Sequence, residues 1–324
     1  MSANKAIGGF FEFESLGMKK TYHPNAIGLT NGRACVSYFL KNHNNIKKVY
    51  LPYYTCYALF EPFEKNNIAY QFYSIDQQLN PIEFPNLNEG DYFVLINYFG
   101  LKKELVIELI KQYGRKLIVD DTHDFFNKGY SNIYSFTSAR KYFGVPDGAY
   151  LYGANSNDKT EIPRFTDVSL KHNVLRLEGR QEEAFKAYQD YEKSLGIDVL
   201  RMSKTSEEIL SNIDYKLIKN KRIKNFNILY DNLQEDNLLN YAKTEIMVPF
   251  CYPLLLKKEV NKLQLYKEKI FIPTLWPDIL ERNNINEYEW ESQITKRLLP
   301  LPVDHRYNYS DMIRMINVIK SIIS

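Results

Sequence analysis

Residues 101–124 read LKKELVIELIKQYGRKLIVDDTHD. Apolar residues recur at helical spacing as far as Gly114, and then a short apolar run, Leu117 to Val119, ends in acid. The pattern predicts a helix over 101–114, stopped by glycine, and a buried strand over 115–124. The preceding stretch, DYFVLINYFG (91–100), reads as another buried strand closed by Gly100. A helix between two continuous apolar strands is the unit of a parallel sheet, because parallel neighbours need a long crossover.

The same alternation extends in both directions. Residues 33–43 form a predicted helix with Cys35, Val36, Phe39 and Leu40 on one face, KKVYLP (47–52) a strand, and residues 55–66 a helix. IAYQFYSID (68–76), NIYSFTS (132–138) and GAYLYG (148–153) read as strands. The fold class is therefore α/β, with a mostly parallel sheet covered on both faces. In such sheets ligands bind beyond the carboxyl ends of the strands. That rule places Asn97–Gly100, Asp120–Asp124 and Ser135–Lys141 on one rim.

Further on, EGRQEEAFKAYQDYEKSLG (178–196) and SKTSEEILSNID (203–214) read as helices, the second with Ser203 or Thr205 as N-cap. From about 244 the texture changes to strand-like TEIMVPFCYPLLL and KIFIPTLWP, and SDMIRMINVIKSIIS (310–324) closes the chain as a helix capped by Ser310. This predicts a large domain over 1–225 and a smaller α+β domain over 226–324.

Composition narrows the function classes. Lys+Arg number 42 against 39 Asp+Glu in 324 residues, so no polyanion partner is implied and nucleic acid is not expected. The most basic stretch, KLIKNKRIKNF (216–226), reads as the polar side of a helix. Cys35, Cys56 and Cys251 form neither a disulfide framework nor a C-x-x-C pair, so no metal is expected. The N-terminal residues lack a secretory apolar core and no run of 18 apolar residues occurs, which predicts a cytoplasmic protein without a membrane span.

Asp120 is a carboxylate at the end of an apolar strand, costly to bury unless a cation meets it; the plainer reading is a turn cap. His123 can share its side of the turn. Asp120 and Asp121 point to opposite faces if the strand continues, which argues against joint metal binding. Lys141 is either a solvated turn residue or an amine on the same rim, able to attack a carbonyl when burial favours its neutral form. Gly32, in LTNGRACVSYFL (29–40), is either an ordinary turn or the start of a helix whose free amides bind an anion. The order is more informative than any one of these: an anion-type helix start, a strand-end acid, then a lysine about twenty residues on.

That order resembles the fold-type I enzymes that use pyridoxal 5′-phosphate (PLP), specifically the DegT/DnrJ/EryC1/StrS family of sugar aminotransferases. The resemblance rests on LTNGRACVSYFL, VYLPYYTCYALFEPF, INYFG, LIVDDTHDFF and SFTSARKYFGVPDGAYL, and covers roughly residues 8–215. It implies Lys141 as the Schiff-base lysine, Asp120 as the acid facing the pyridinium nitrogen and His123 near the ring's phenolate oxygen. It implies Gly32 and Arg33 as the phosphate-binding helix start, with Ser135 or Ser138 also reaching the phosphate. Where the family places an aromatic that stacks on the cofactor, this chain has Cys56, leaving Tyr57 or Tyr54 to stack. VLRMS (199–203) keeps the Arg of an N-x-R element supplied by the partner subunit, Arg201, but has Val199 where Asn would stand. Arg201, His305 and Arg306 are the implied substrate contacts. The implied activity is amino transfer, from glutamate as the expected donor, to a nucleotide-linked keto sugar in surface-polysaccharide or amino-sugar biosynthesis, by a homodimer to which GGFFEFE (8–14) could contribute. The alternatives are a PLP enzyme of the same fold with another carbonyl or amino-acid substrate, and a scaffold that has lost turnover.

Overall fold

A computed structural model describes residues 20–154, 162–241 and 247–323; GGFFEFE lies outside them. Nine strands and ten α-helices are defined among the described residues. In chain order the first are β1 (Ile27–Leu29), α1 (Gly32–Lys41), β2 (Lys48–Pro52), α2 (Tyr57–Lys65), β3 (Ala69–Tyr73) and β4 (Asp91–Ile96). There follow α3 (Lys103–Tyr113), β5 (Leu117–Asp120), β6 (Tyr134–Ser138) and β7 (Ala149–Tyr152). The helices α4 (Lys171–Leu177), α5 (Gln181–Ser194), α6 (Lys204–Ser211) and α7 (Tyr215–Leu233) come next. The last elements are β8 (Cys251–Leu255), α8 (Lys262–Lys267), α9 (Glu289–Arg297), β9 (Leu298–Pro302) and α10 (Tyr309–Ile323).

β1 to β7 form one sheet in the order β1-β7-β6-β5-β4-β2-β3. β3, β2, β4, β5 and β6 are parallel; β7 runs antiparallel to β6, and β1 antiparallel to β7. Phe93 to Ile96 and Leu117 to Val119 are all buried. They are continuous apolar runs because helices cover both faces, and each such side chain contributes roughly 1.5–3 kcal/mol by leaving water.

Register decides which side chains share a face. Ile96 pairs with Asp120, and Asp120 with Phe136. On the same face the Tyr134 hydroxyl donates to the Cys35 carbonyl in α1 (3.3 Å), and a Cβ on Gly32 would stand 3.5 Å from the Phe136 ring. Asp120, Phe136 and, by strand parity, Ser138 thus lie on the face that α1 covers. Ser135 and Thr137 have the opposite parity; both hydroxyls are buried without a partner among the described residues.

β8 and β9 pair antiparallel, and with α7, α8 and α10 they enclose a second core around Phe226, Tyr252, Leu254 and Met315. The expected division at 225/226 falls inside α7, which is continuous. Ile218 packs in a cluster with Tyr142 and Phe143 of the large unit, while Phe226, Leu229 and Leu233 enter the second core. The chain also crosses back, since Ile279 and Ile294 belong to the core of the large sheet. The basic run 216–226 marked part of α7 as helical, but a helix shared by two cores has no composition break at its middle. The basic face expected of 216–226 is likewise interrupted, because Arg222 is only 2% exposed and Asn225 is buried. At the last helix the cap is Asn308 and not Ser310: its Oδ1 accepts from the amides of Ser310 (2.9 Å) and Asp311 (3.3 Å).

Candidate active site

The carboxyl ends of β4, β5 and β6 form one rim, as the parallel pairing requires. After β4 the chain turns sharply through Phe99 (φ 59) and Gly100 (φ 74). A Cβ on Gly100 would come within 2.7 Å of the His123 carbonyl oxygen, so this turn needs glycine to lie against the β5 turn. Asn97 ties the two turns, donating to the Asp121 carboxylate at 2.8 Å.

Asp120 is buried, and no cation stands at ion-pair distance from it among the described residues. Burial raises its pKa; the Lys141 charge and hydrogen bonds from Thr122 oppose that rise. Thr122 is the residue that sequence reasoning passed over. Its amide donates to Asp120 Oδ1 (2.8 Å), and its hydroxyl accepts from Lys141 Nζ (3.1 Å). Its methyl lies 3.7 Å from where a Gly32 Cβ would be. One threonine therefore touches the acid, the amine and the start of α1.

His123 is buried, and its Nδ1 accepts the Phe99 amide (3.2 Å), which puts the proton of the neutral ring on Nε2. Burial, then the Lys141 charge, holds its pKa well below the ordinary value, so the ring is neutral. It lies nearly parallel to Phe250 (centroids 4.5 Å, 2°) and to Trp276 (6.0 Å, 6°). Both rings come from the C-terminal third, and neither was a sequence candidate. Their only sequence signal is an aromatic beside a proline, in PFC and LWP.

Lys141 is half-buried, and its ammonium lies 5.9 Å from the Phe250 ring centroid. The start of α1 is capped by Asn31, whose Oδ1 accepts the Ala34 amide (2.9 Å). The amides of Gly32 and Arg33, at the open end of the helix, have no carbonyl a turn earlier to bond. The Arg33 guanidinium is paired with Glu61 (3.3 Å). Cys56 is the N-cap residue of α2 and is half-buried; burial raises its pKa, and the Lys141 charge lowers it.

Other sequence candidates fall elsewhere. Tyr57 is 45% exposed and packs edge-on against Phe60. Tyr54 is fully buried, edge-on to Trp276. Ser135 is turned to the far face by strand parity, leaving Ser138 on the side of α1. Arg201 pairs loosely with Glu207 (3.9 Å) and lines a separate 420 Å³ cavity with Tyr22 and His23. The structure does not bring it to Lys141 within one chain.

Two clefts, of 600 and 750 Å³, meet at Lys141. Arg176, Tyr188, Arg222, Asp304, Arg306 and Tyr307 line both, and His305 lines the larger. Arg306 grips Asp304 through Nε (2.7 Å) and Nη2 (2.9 Å). Burial pushes the Asp304 carboxyl up, but these bonds and the Arg306 charge more than offset it, so it is held below the usual value. Arg140, which had no evident role in the sequence, donates Nε to the Pro146 carbonyl (3.0 Å) and pairs with Glu192 of α5. It fastens the turn after Lys141 to the α4–α5 hairpin.

No family model matches the chain, and no curated protein matches it. Solved structures do. DesV from S. venezuelae, determined in complex with a ketimine intermediate, superposes with a TM-score of 0.64 at 12% identity, covering 93% of this chain and 85% of DesV. The sugar aminotransferase CalS13 from Micromonospora echinospora gives 0.61 at 11% identity, covering 92% and 88%. A DegT DnrJ EryC1 StrS aminotransferase from Brucella abortus gives 0.60 at 14% identity, covering 91% and 85%. The chain has the fold of these proteins over nearly its whole length.

Proposed function

We propose that the protein is a PLP-dependent aminotransferase acting on a keto sugar. The observation that carries this reading is the contact set of Thr122, which joins the Asp120 carboxylate to the Lys141 amine beside the start of α1. The fit to the cofactor is chemical. A buried carboxylate with no ion-pair partner among the described residues suits a protonated pyridine nitrogen, free helix amides suit a phosphate, and a lysine amine suits an aldehyde. Names of structures with the same fold, among them a sugar aminotransferase, support the substrate class.

When bound, PLP supplies an electron sink that makes a substrate α-proton removable. Lys141 holds the cofactor, and Asp120 keeps a proton at the ring nitrogen. His123, neutral with its proton on Nε2, is a donor for the ring oxygen. Gly32 and Arg33 offer backbone amides, and Ser138 its hydroxyl, to the phosphate. With PLP and substrate bound, Lys141 Nζ would be the base that takes the substrate α-proton and returns it, with the Thr122 hydroxyl orienting it. Phe250, beside Lys141 Nζ, and Trp276, parallel to His123, are the rings that would take the place of the aromatic that Cys56 replaces.

In this reading glutamate is the amino donor, and a nucleotide-linked keto sugar of surface-polysaccharide or amino-sugar synthesis is the acceptor. The working unit is a homodimer. The exposed apolar side chains of α4 and α5, Val174 (52%), Leu177 (85%) and Phe185 (59%), support pairing, as does the distance of Arg201 from its own Lys141 cleft. The test is direct. Protein purified with PLP should be yellow, with an absorbance band that borohydride moves to shorter wavelength as it fixes the cofactor to Lys141. The band should bleach with glutamate and return with one member of a panel of nucleotide keto sugars. A colourless protein that PLP does not tint overturns the reading.

A further inference from the structure

Strand β2 ends at Pro52 and α2 begins at Tyr57. The backbone between them is buried at Tyr53, Tyr54 and Thr55, so its carbonyls need partners that no ladder supplies. Arg282, more than 200 positions away, provides two of them. Its Nη1 donates to the Tyr53 carbonyl (2.7 Å) and its Nη2 to the Thr55 carbonyl (2.6 Å). Nη2 also donates to Asp278 Oδ2 (2.6 Å). The guanidinium lies 5.0, 4.9 and 5.6 Å from the ring centroids of Tyr53, Phe60 and Phe72. Charge-assisted bonds to one turn, made inside a ring of aromatic side chains, fix that turn to the segment that carries Arg282.

The same segment carries Trp276. It leaves the second core at Ile272 and enters the large core at Ile279. Between these anchors Trp276 is left-handed (φ 52, ψ 57) and precedes Pro277. Residues other than glycine resist that conformation, and a residue before proline favours extended backbone instead. The kink that lays Trp276 parallel to His123 therefore has to be held from outside. Ile279 holds it by packing, and Arg282 holds it by hydrogen bonds just beyond. The turn at the other side of the clamp leads to Cys56, the N-cap residue of α2. Burial raises the Cys56 thiol pKa, the Lys141 charge lowers it, and Asp120 and Asp278 raise it further. The thiol is thus within electrostatic reach of the reacting pair and of the clamp.

We infer that Arg282 is a positioning residue for the cofactor pocket: it locks the segment bearing Trp276 onto the turn bearing Cys56, so that one contact sets the ring beside His123 and the start of α2. A lysine carries the charge without the planar fork, and it cannot hold both carbonyls and Asp278 in one geometry. The inference rests on the transferase reading for the occupant of the pocket. It adds to that reading a residue that touches neither cofactor nor substrate.

Iodoacetamide and PLP are the probes, both used on the purified full chain. Cys35 and Cys251 are buried and Cys56 is half-buried, so the alkylation rate of Cys56 without PLP, read by peptide mass spectrometry, reports on the turn itself. Arg282→Gln should raise that rate by about tenfold or more, and Arg282→Lys and Asp278→Asn should raise it by less. Arg282→Gln should also raise the PLP Kd by about tenfold. The share of tryptophan emission that PLP quenches should fall by about half, because Trp276 is no longer held at His123. Leu254→Ala lowers stability from within the second core and should leave the Cys56 rate and the PLP Kd within about twofold of wild type. A folded Arg282→Gln with the wild-type Cys56 rate and PLP Kd overturns the inference. So does a Leu254→Ala that shifts both as far as Arg282→Gln does, since general loss of stability would then explain them. If Arg282→Gln does not fold, unchanged Cys56 rates in Arg282→Lys and Asp278→Asn overturn it. A chain that ignores PLP but exposes Cys56 when Arg282 is replaced would keep the clamp and discard the transferase reading. A chain that takes PLP alike with and without Arg282, at an unchanged Cys56 rate, would do the reverse.

Discussion

Asp120, Thr122 and His123 stand on a single strand end, whereas Arg222, Phe250 and Arg306, which line the smaller Lys141 cleft, and Trp276, which lies parallel to His123, come from four separate segments. The first group is fixed by ladder bonds and by two tight turns locked together through Asn97. The second is fixed by side-chain packing, with rings against rings and guanidinium groups on carbonyls and on Asp304. A wall made of backbone geometry holds a reacting group to a narrow position. A wall made of long side chains can change its selectivity one residue at a time. Chemistry on the first wall and substrate choice on the second is the division this contrast suggests.

The comparison can be broken at several points. Lys141→Ala removes the reacting group itself, and amino transfer should fall by about 10³-fold or more, with no cofactor fixed by borohydride, while the melting temperature hardly changes. An intact band in that variant would move the chemistry off the strand-end wall.

The next effect is one of stability. Asp124 is buried near Asp121, and burial raises its pKa to about 7. The folded state therefore binds this proton more tightly than the unfolded chain. The resulting stability is fully present below the unfolded carboxylate pKa and is lost as pH rises through about 7. Between pH 4 and 8 the unfolding free energy should fall by roughly 2–4 kcal/mol on this account, read from urea curves. Asp124→Asn should flatten the slope. A slope of the opposite sign would show that the β5 turn keeps both acids ionised.

A smaller effect separates the two serines. Ser138→Ala should weaken PLP binding about tenfold, and Ser135→Ala less than about twofold, by cofactor titration. Equal losses would mean that the parity of β6 does not select the phosphate contact.

The smallest change is spectroscopic. Trp276 is one of two tryptophans and lies parallel to His123. PLP should quench a large part of the emission of wild type and little of that of Trp276→Phe, with affinity altered by less than about threefold. Undiminished quenching in the variant would place Trp276 outside the cofactor wall.

Much of the strand-end wall was legible because its signals are local. Apolar runs bounded by glycine and acid mark β4 and β5, and parallel pairing then puts their carboxyl ends on one edge. Thr122 escaped notice because a threonine after two aspartates reads as turn chemistry; only its contacts with Asp120 and Lys141 give it a role. Arg222 was read as part of a solvated basic face, since charge pattern says nothing of a second core packing against the same helix. Trp276 and Phe250 carry no periodic signal, and Ser135 was separated from Ser138 only by register.

The sequence by itself determined the alternation of strand and helix, the rim where the acid and the lysine meet, and the order of groups that points to PLP. Each follows from local period, turn residues and the rule of parallel crossovers. Tertiary structure alone decided which serine faces α1, which aromatic rings flank His123, where the two units share α7, and that Arg222 is buried. These depend on contacts between segments far apart in the chain. Such contacts are set by packing and desolvation in three dimensions, and no window of sequence records them.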